Sequence, residues 1–206
     1  FPGATTPFGM VQISTDNGVT GWDWYSGYHW ASEEIEFFSH KHLSGVGGPD
    51  LGDIAVMPFT GKYEKKHSFS HKNEFARPGY YAVRLDNGIL CEFTATPRCA
   101  VHRYTFPEGV PKNIKVNLNH SVFIDMNTKM NLKWLSDTTF GGLKKTLGWA
   151  MSQRCFFAAK TSEPFEKRSG AGIATLSFDG SGTVVELRVG LSTDRKSTRL
   201  NSSHIT

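Results

Sequence analysis

Short runs in which apolar and polar residues alternate recur along nearly the whole of this chain, and they restrict its fold more than any other feature. In YYAVRLD (80–86), Tyr81, Val83 and Leu85 fall on one side and Arg84 and Asp86 on the other. In NIKVNLN (113–119), Ile114, Val116 and Leu118 alternate with Lys115 and Asn117, and in VVELRVGL (184–191) Val185, Leu187, Val189 and Leu191 alternate with Glu186, Arg188 and Gly190. A period of two places one side chain in the core and the next in water, the pattern of a strand buried on one face. FGMVQIS (8–14), DIAVMPF (53–59), LCEFTAT (90–96), AVHRYTF (100–106), RCFFAAK (154–160) and GIATLSF (172–178) extend the series. Turn signals separate them at Asp86-Asn87-Gly88, Pro107-Glu108-Gly109 and Asp179-Gly180-Ser181-Gly182. Many closely spaced short strands predict an all-β fold, an antiparallel β-sandwich. One short helix is expected over 32–38 (SEEIEFF), with Ser32 as its N-cap.

The chain's 206 residues suffice for one domain with a sizeable core, and its 13% aromatic content argues against disorder. No apolar stretch reaches the length of a bilayer-spanning helix. Cys91, Cys99 and Cys155 fit no metal spacing. They read as buried free thiols, with a Cys91–Cys99 pair as the alternative. Residues 194–204, DRKSTRLNSSH, break abruptly from the alternating pattern, and a DNA string resembling a common sequencing adapter translates to the same eleven residues in one frame. The expectation is therefore a domain over 1–193, cut short at both ends, with 194–206 not native. Without that tail, which holds Arg195, Lys196 and Arg199 against Asp194, 20 basic residues face 18 acidic ones and the net charge falls from +4 to +2. That balance gives poor support to a nucleic-acid partner.

Residues 15–52 do not alternate. The segment is rich in glycine and aromatics, and long ordered loops on a sandwich usually serve a site. GWDWYSGYHW (21–30) holds Trp22, Trp24 and Trp30, three of the chain's five tryptophans. One reading is an apolar plug over the end of the sandwich. The other is a sugar platform, because the C–H face of a pyranose stacks on an indole and a carboxylate such as Asp23 accepts from neighbouring hydroxyls. Asp23 could equally cap a turn in the loop.

In FSHKHLSGVGGPDLGD (38–53), His40 and His42 lie two apart. They could share a metal with Asp50 or Asp53, or hydrogen-bond as neutral rings to substrate hydroxyls or loop carbonyls. The glycines there form no phosphate loop, since no Lys-Ser/Thr follows. No Gly-x-Ser-x-Gly elbow and no cysteine in a catalytic context occurs. Glu33, Glu34 and Glu36 read as a solvated face rather than an acid/base pair. Asn119-His120-Ser121 is a glycosylation sequon of a common kind.

FPGATTPFGMVQIS, GWDWYSGYHW, FSHKHLSGVGGPDLGDIAVMP, FSHKNEFARPGYYAVRLDNGILCEFTATPRCAVHRYTFP and, more faintly, LGWAMSQRCFFAAK occur in this order. Together they resemble the N-terminal domain of glycoside hydrolase family 92, calcium-dependent inverting exo-α-mannosidases, over nearly all of residues 1–193. The segment Gly48-Pro49-Asp50-Leu51-Gly52-Asp53 departs from the family's usual small-polar and Tyr pattern, and the glycine-rich lead-in before FPGA is absent. The resemblance implies a β-sandwich set against a larger (α/α)6-type helical domain. That second domain would carry the general acid, the general base and most of the calcium ligands. The sandwich would lend loops to a cleft for α-mannose-containing glycans, with Trp22, Asp23, Trp24, His40 and His42 as the sugar contacts carried over. A secreted or periplasmic protein without a membrane span is implied, and the fragment itself would be inactive. The competing expectation is a stand-alone carbohydrate-binding sandwich.

Overall fold

The structure is a computed structural model that describes residues 2–18, 26–42, 50–122, 126–148 and 150–194. In chain order its strands are β1 (Gly3–Thr5), β2 (Gln12–Asp16), β3 (Glu34–Ile35), β4 (Phe37–Ser39), β5 (Ala55–Phe59), β6 (His67–Arg77), β7 (Tyr80–Leu85) and β8 (Leu90–Ala95). They continue with β9 (Cys99–Thr105), β10 (Lys112–Asn117), β11 (Met126–Trp134), β12 (Thr139–Leu147), β13 (Gln153–Thr161), β14 (Glu166–Gly170), β15 (Ile173–Phe178) and β16 (Val184–Ser192). A seven-stranded sheet runs β1-β2-β4-β5-β10-β15-β14, and a nine-stranded sheet runs β11-β12-β13-β16-β9-β8-β7-β6-β3. The pairings are antiparallel, as in Ile114↔Leu176 of β10 and β15 and Leu187↔His102 of β16 and β9. The chain folds as the all-β antiparallel sandwich that its alternation predicts.

The apolar faces of the two sheets meet in one core. Phe38 of the seven-stranded sheet packs on Phe93 of the nine-stranded sheet with ring centroids 4.6 Å apart, and Tyr81, the cross-strand partner of Phe93, stacks on it as well. Towards the opposite region, Phe140 gathers Trp134, Phe157 and Phe165, and Phe165 reaches Phe178. Such edge-to-face and tilted aromatic pairs add to the free energy of area burial. Cys91 and Cys155 are buried free thiols, and Cys99 is free and half-buried. Burial pushes the Cys155 thiol up to about 12, so it stays a neutral core side chain.

Two expectations need correction. No helix forms over 32–38. Ser32 instead closes a tight turn, its hydroxyl accepting from the Glu34 amide at 3.3 Å and donating to the Glu34 carbonyl at 3.2 Å. Ile35 pairs with His67 in one sheet, and Phe37 pairs with Asp16 in the other. Ile35, Phe37 and Phe38 are all buried, but against both sheets, and only an extended backbone crosses between sheets in so few residues. The first long strand also begins later than expected. A turn held by Gly9 N to Thr6 O places Phe8 at φ 56° and delays pairing until Gln12.

Candidate functional site

Asp16 ends β2 with its carboxylate fully buried. His42 Nε2 donates to Oδ1 at 2.7 Å and His120 Nε2 donates to Oδ2 at 2.7 Å. Burial works against ionisation of Asp16, but the charge of His42 and the hydrogen bonds from both rings outweigh it, so the carboxyl is held well below its usual range. His42 faces acceptors on both sides, with Nδ1 on the Gln12 carbonyl at 2.8 Å and Nε2 on Asp16. Burial opposes its protonation, and Asp16 and the carbonyl reverse the balance, so its pKa is raised.

His40 does something different. Its Nδ1 donates to the Ile54 carbonyl at 2.5 Å, leaving Nε2 as the acceptor for His102 Nε2 at 2.8 Å, and Tyr104 OH then donates to His102 Nδ1 at 2.7 Å. Burial pushes His40 down to about 4 and holds His102 well below its ordinary value, so both rings are neutral and the chain of bonds is satisfied in one direction. A third buried centre is Asp53. Lys144 lies 3.0 Å from Oδ1 and Lys41 lies 3.1 Å from Oδ2, while Lys144 also donates to the His120 carbonyl. Burial favours the neutral acid at Asp53, but the two ammonium groups overcome this and lower its pKa. Asp50 accepts from the Leu51 amide and from Gln153 Nε2.

These centres brace the roots of the loops. Asn17 holds the root of the aromatic loop: its Nδ2 donates to the Glu34 carbonyl at 2.6 Å, its Oδ1 accepts from the His29 amide at 2.7 Å, and its own amide donates to the Gly27 carbonyl. Beside this root opens a polar pocket of about 350 Å³, lined by Asp16, Gly18, Gly27, Glu36, Asn119 and His120 among others. Gly18 and Gly27 bracket residues 19–25, and His120 leads towards 123–125. Gly27 has φ 84°, and a Cβ there would lie 2.3 Å from Asp16 Oδ1, so only glycine allows this close approach. A shallower depression of about 640 Å³ lies between Pro2–Phe8 and Ala76–Gly79. Arg77 is the one charged side chain in its lining, whereas Asp16, Glu36, Lys65 and His120 converge on the polar pocket, which is therefore the better candidate.

Of the sequence-predicted contacts, Trp22, Asp23 and Trp24 lie outside the described residues. His40 and His42 are buried, 0% and 3% exposed, and their ring nitrogens are engaged within the fold. Among the described residues no group of three or more His, Cys, Asp or Glu could hold a metal. Calcium requires six to eight oxygens, whereas the buried carboxylates of Asp16 and Asp53 already face cationic side chains. The described residues therefore do not fit a calcium site. Sequence reasoning missed Asp16, His102, His120, Lys144 and Glu36 as parts of this region. The one available signal was Asp16, a carboxylate closing a strand directly before a glycine-bracketed aromatic loop.

A two-sheet antiparallel sandwich is an architecture that serves many unrelated functions. The Glycosyl hydrolase family 92 N-terminal domain matches residues 1–192, and the chain belongs to this family. A family GH92 alpha-mannosidase from Bacteroides thetaiotaomicron, also solved in complex with mannoimidazole, is 30% identical, with a TM-score of 0.89 over 100% of this chain and 33% of that one. An inverting GH92 mannosidase from the same organism shares the fold at 22% identity, with a TM-score of 0.83 over 99% of this chain and 30% of that one. A protein of Arthroderma benhamiae described as an uncharacterized secreted glycosidase is 35% identical over 121 residues, 53% of this chain and 16% of that protein. The chain thus spans about a third of the solved chains and less of the curated relative. Its relatives are glycoside hydrolases. Among the described residues no helix is long and apolar enough to cross a membrane.

Proposed function

We propose that this chain is the sugar-positioning front domain of an inverting exo-α-mannosidase, secreted or periplasmic, that acts on α-mannose-containing glycans. Family membership supports the class. The observation that carries the role is the polar pocket beside Asp16, which opens where the aromatic loop and the 123–125 segment leave the sandwich. Asp16 has both oxygens engaged by donors, so it orients its neighbours and has no proton to give. His40 and His42 serve the site by fixing the loop roots, and Trp22, Asp23 and Trp24 supply the sugar contacts. In an inverting reaction an acid protonates the leaving oxygen while a base activates water on the opposite face, so the two carboxyls stand well apart. We assign that pair, and most of the oxygen ligands for calcium, to a helical domain docked in cis.

Two measurements on the 206-residue chain test this reading. Incubation with 4-nitrophenyl α-mannoside is expected to release no nitrophenol, and isothermal titration with methyl α-mannoside is expected to show weak binding that Trp24→Ala reduces roughly tenfold. Hydrolysis by this chain would overturn the assignment of the chemistry to another domain. Binding unchanged in Trp24→Ala would overturn the role given to the loop.

A further inference from the structure

Glu74 is the centre of a cluster remote in sequence from the pocket. Its side chain is 7% exposed and accepts three hydrogen bonds: Tyr81 OH at 2.7 Å on Oε1, and Tyr28 OH at 3.0 Å and His71 Nδ1 at 2.7 Å on Oε2. The other nitrogen of His71 faces the Trp30 carbonyl at 2.7 Å. With both nitrogens engaged, the His71 ring is fixed in plane, and Phe69 and Tyr28 meet it edge-on. Trp30 lies flat on His71, with ring centroids 4.0 Å apart and planes 17° from parallel. One face of the indole is thus covered, yet the residue is 69% exposed, so the other face is open.

This arrangement runs against ordinary surface economy. A tryptophan left in water is normally free to choose rotamers, and holding it fixed costs conformational entropy. Here a buried carboxylate, two tyrosines and a histidine hold it still. The register of β6 slips between Phe69 and Glu74, and that irregularity brings His71 and Glu74 to the same cluster while leaving Lys72 and Asn73 exposed beside it. A rigid, open indole face offers the flat apolar surface that the C–H face of a pyranose needs, and the exposed Lys72 and Asn73, which follow His71 in the chain, carry donors for its hydroxyls.

We propose that Trp30, backed by His71 and Glu74, is a second saccharide contact that takes a further pyranose of an oligosaccharide whose terminal sugar sits in the polar pocket. The site selects for chain length and leaves the terminal unit to the pocket. This proposal rests on the reading of the chain as a glycan-binding domain.

The test is calorimetric titration of the full chain and its Trp30→Ala variant with methyl α-mannoside, an α-linked mannobiose and cellobiose. Trp30 is exposed, so its removal leaves the core intact, and His71→Ala serves as the positioning variant. The expected result is that Trp30→Ala weakens mannobiose roughly tenfold and leaves methyl α-mannoside unchanged, with His71→Ala intermediate for mannobiose. Cellobiose binding that Trp30→Ala abolishes, in a chain that binds neither mannoside, would uphold the platform and sink the mannoside reading. Equal mannobiose affinity in native chain and Trp30→Ala would overturn the platform and leave the mannoside reading standing. Binding of none of the three sugars would overturn both.

Discussion

Gly27 shows how narrowly the pocket is specified at single positions. Its φ of 84° alone disfavours any L side chain, and a Cβ would also meet Asp16 Oδ1 at 2.3 Å and the Thr15 carbonyl at 3.1 Å. Neither neighbour can retreat, because Asp16 is clamped by two histidines and Thr15 is in a strand. Gly61 has a similar φ of 61° with nothing within 4 Å of a Cβ. The two positions therefore separate backbone strain from contact. Gly61→Ala is expected to cost about 1 kcal/mol and Gly27→Ala roughly 3 kcal/mol in urea unfolding. Equal losses at the two positions would show that close approach to Asp16 contributes nothing beyond φ.

At the scale of elements, Lys144 joins what the sheet order keeps apart. It sits in β12 of the nine-stranded sheet, yet its ammonium is fully buried against Asp53, which precedes β5, and the carbonyl of His120, which follows β10. Removing one partner of a buried ion pair leaves an uncompensated charge. Lys144→Met is expected to destabilise by roughly 3 kcal/mol, and Lys41→Met, whose ammonium is partly exposed, by about 1 kcal/mol, read from urea midpoints. The reverse order would refute the view that Lys144 is the main neutraliser of Asp53. The same element shows where sequence reading stopped. β7, β10 and β16 were legible because each buries one face on the core, which imposes the period of two. In β12, Lys144 points inwards and Gly141 and Gly142 carry no side chain, so the period is hidden, although Cβ atoms there would strike the Phe157 and Asn131 carbonyls. β11 and β14 lie at sheet edges, where polar residues guard against unwanted pairing and blur the pattern. β3 and β4 looked helical because Glu33, Glu34, Ile35 and Phe38 mimic one turn, and only burial against two sheets decides otherwise. The site was half legible. The aromatic loop and the histidine pair stood out as residue types, but Asp16, His102 and His120 become partners only through contacts between positions up to 104 residues apart.

At the scale of the whole molecule, a small set of buried histidines and aspartates shapes the response to acid. His40 and His102 are buried as neutral rings with lowered pKa values, His40 at about 4 against an ordinary 6.5. A group whose folded pKa is depressed stabilises the fold above its unfolded value and loses that contribution as pH falls towards the folded value. For His40 the window runs from 6.5 down to about 4 and corresponds to about 3 kcal/mol. Asp16 and Asp53, also lowered, act in the same sense, but only as pH falls below their ordinary value of 3.8. His42 opposes them. Its raised pKa gives stability that is complete below 6.5 and lost as pH rises through the folded value. The fold should therefore be most stable near neutrality, weaken between about pH 6 and about pH 4.5 through the histidines, and fail further below that through the aspartates. Urea midpoints measured across this range check the course. His102→Gln keeps a donor for His40 and an acceptor for Tyr104 but cannot titrate, so its midpoint should fall less between about pH 6 and about pH 4.5 than that of the native chain. A parallel fall in both proteins would show that His102, which bonds to His40 and Tyr104 in the core, adds nothing to the acid sensitivity.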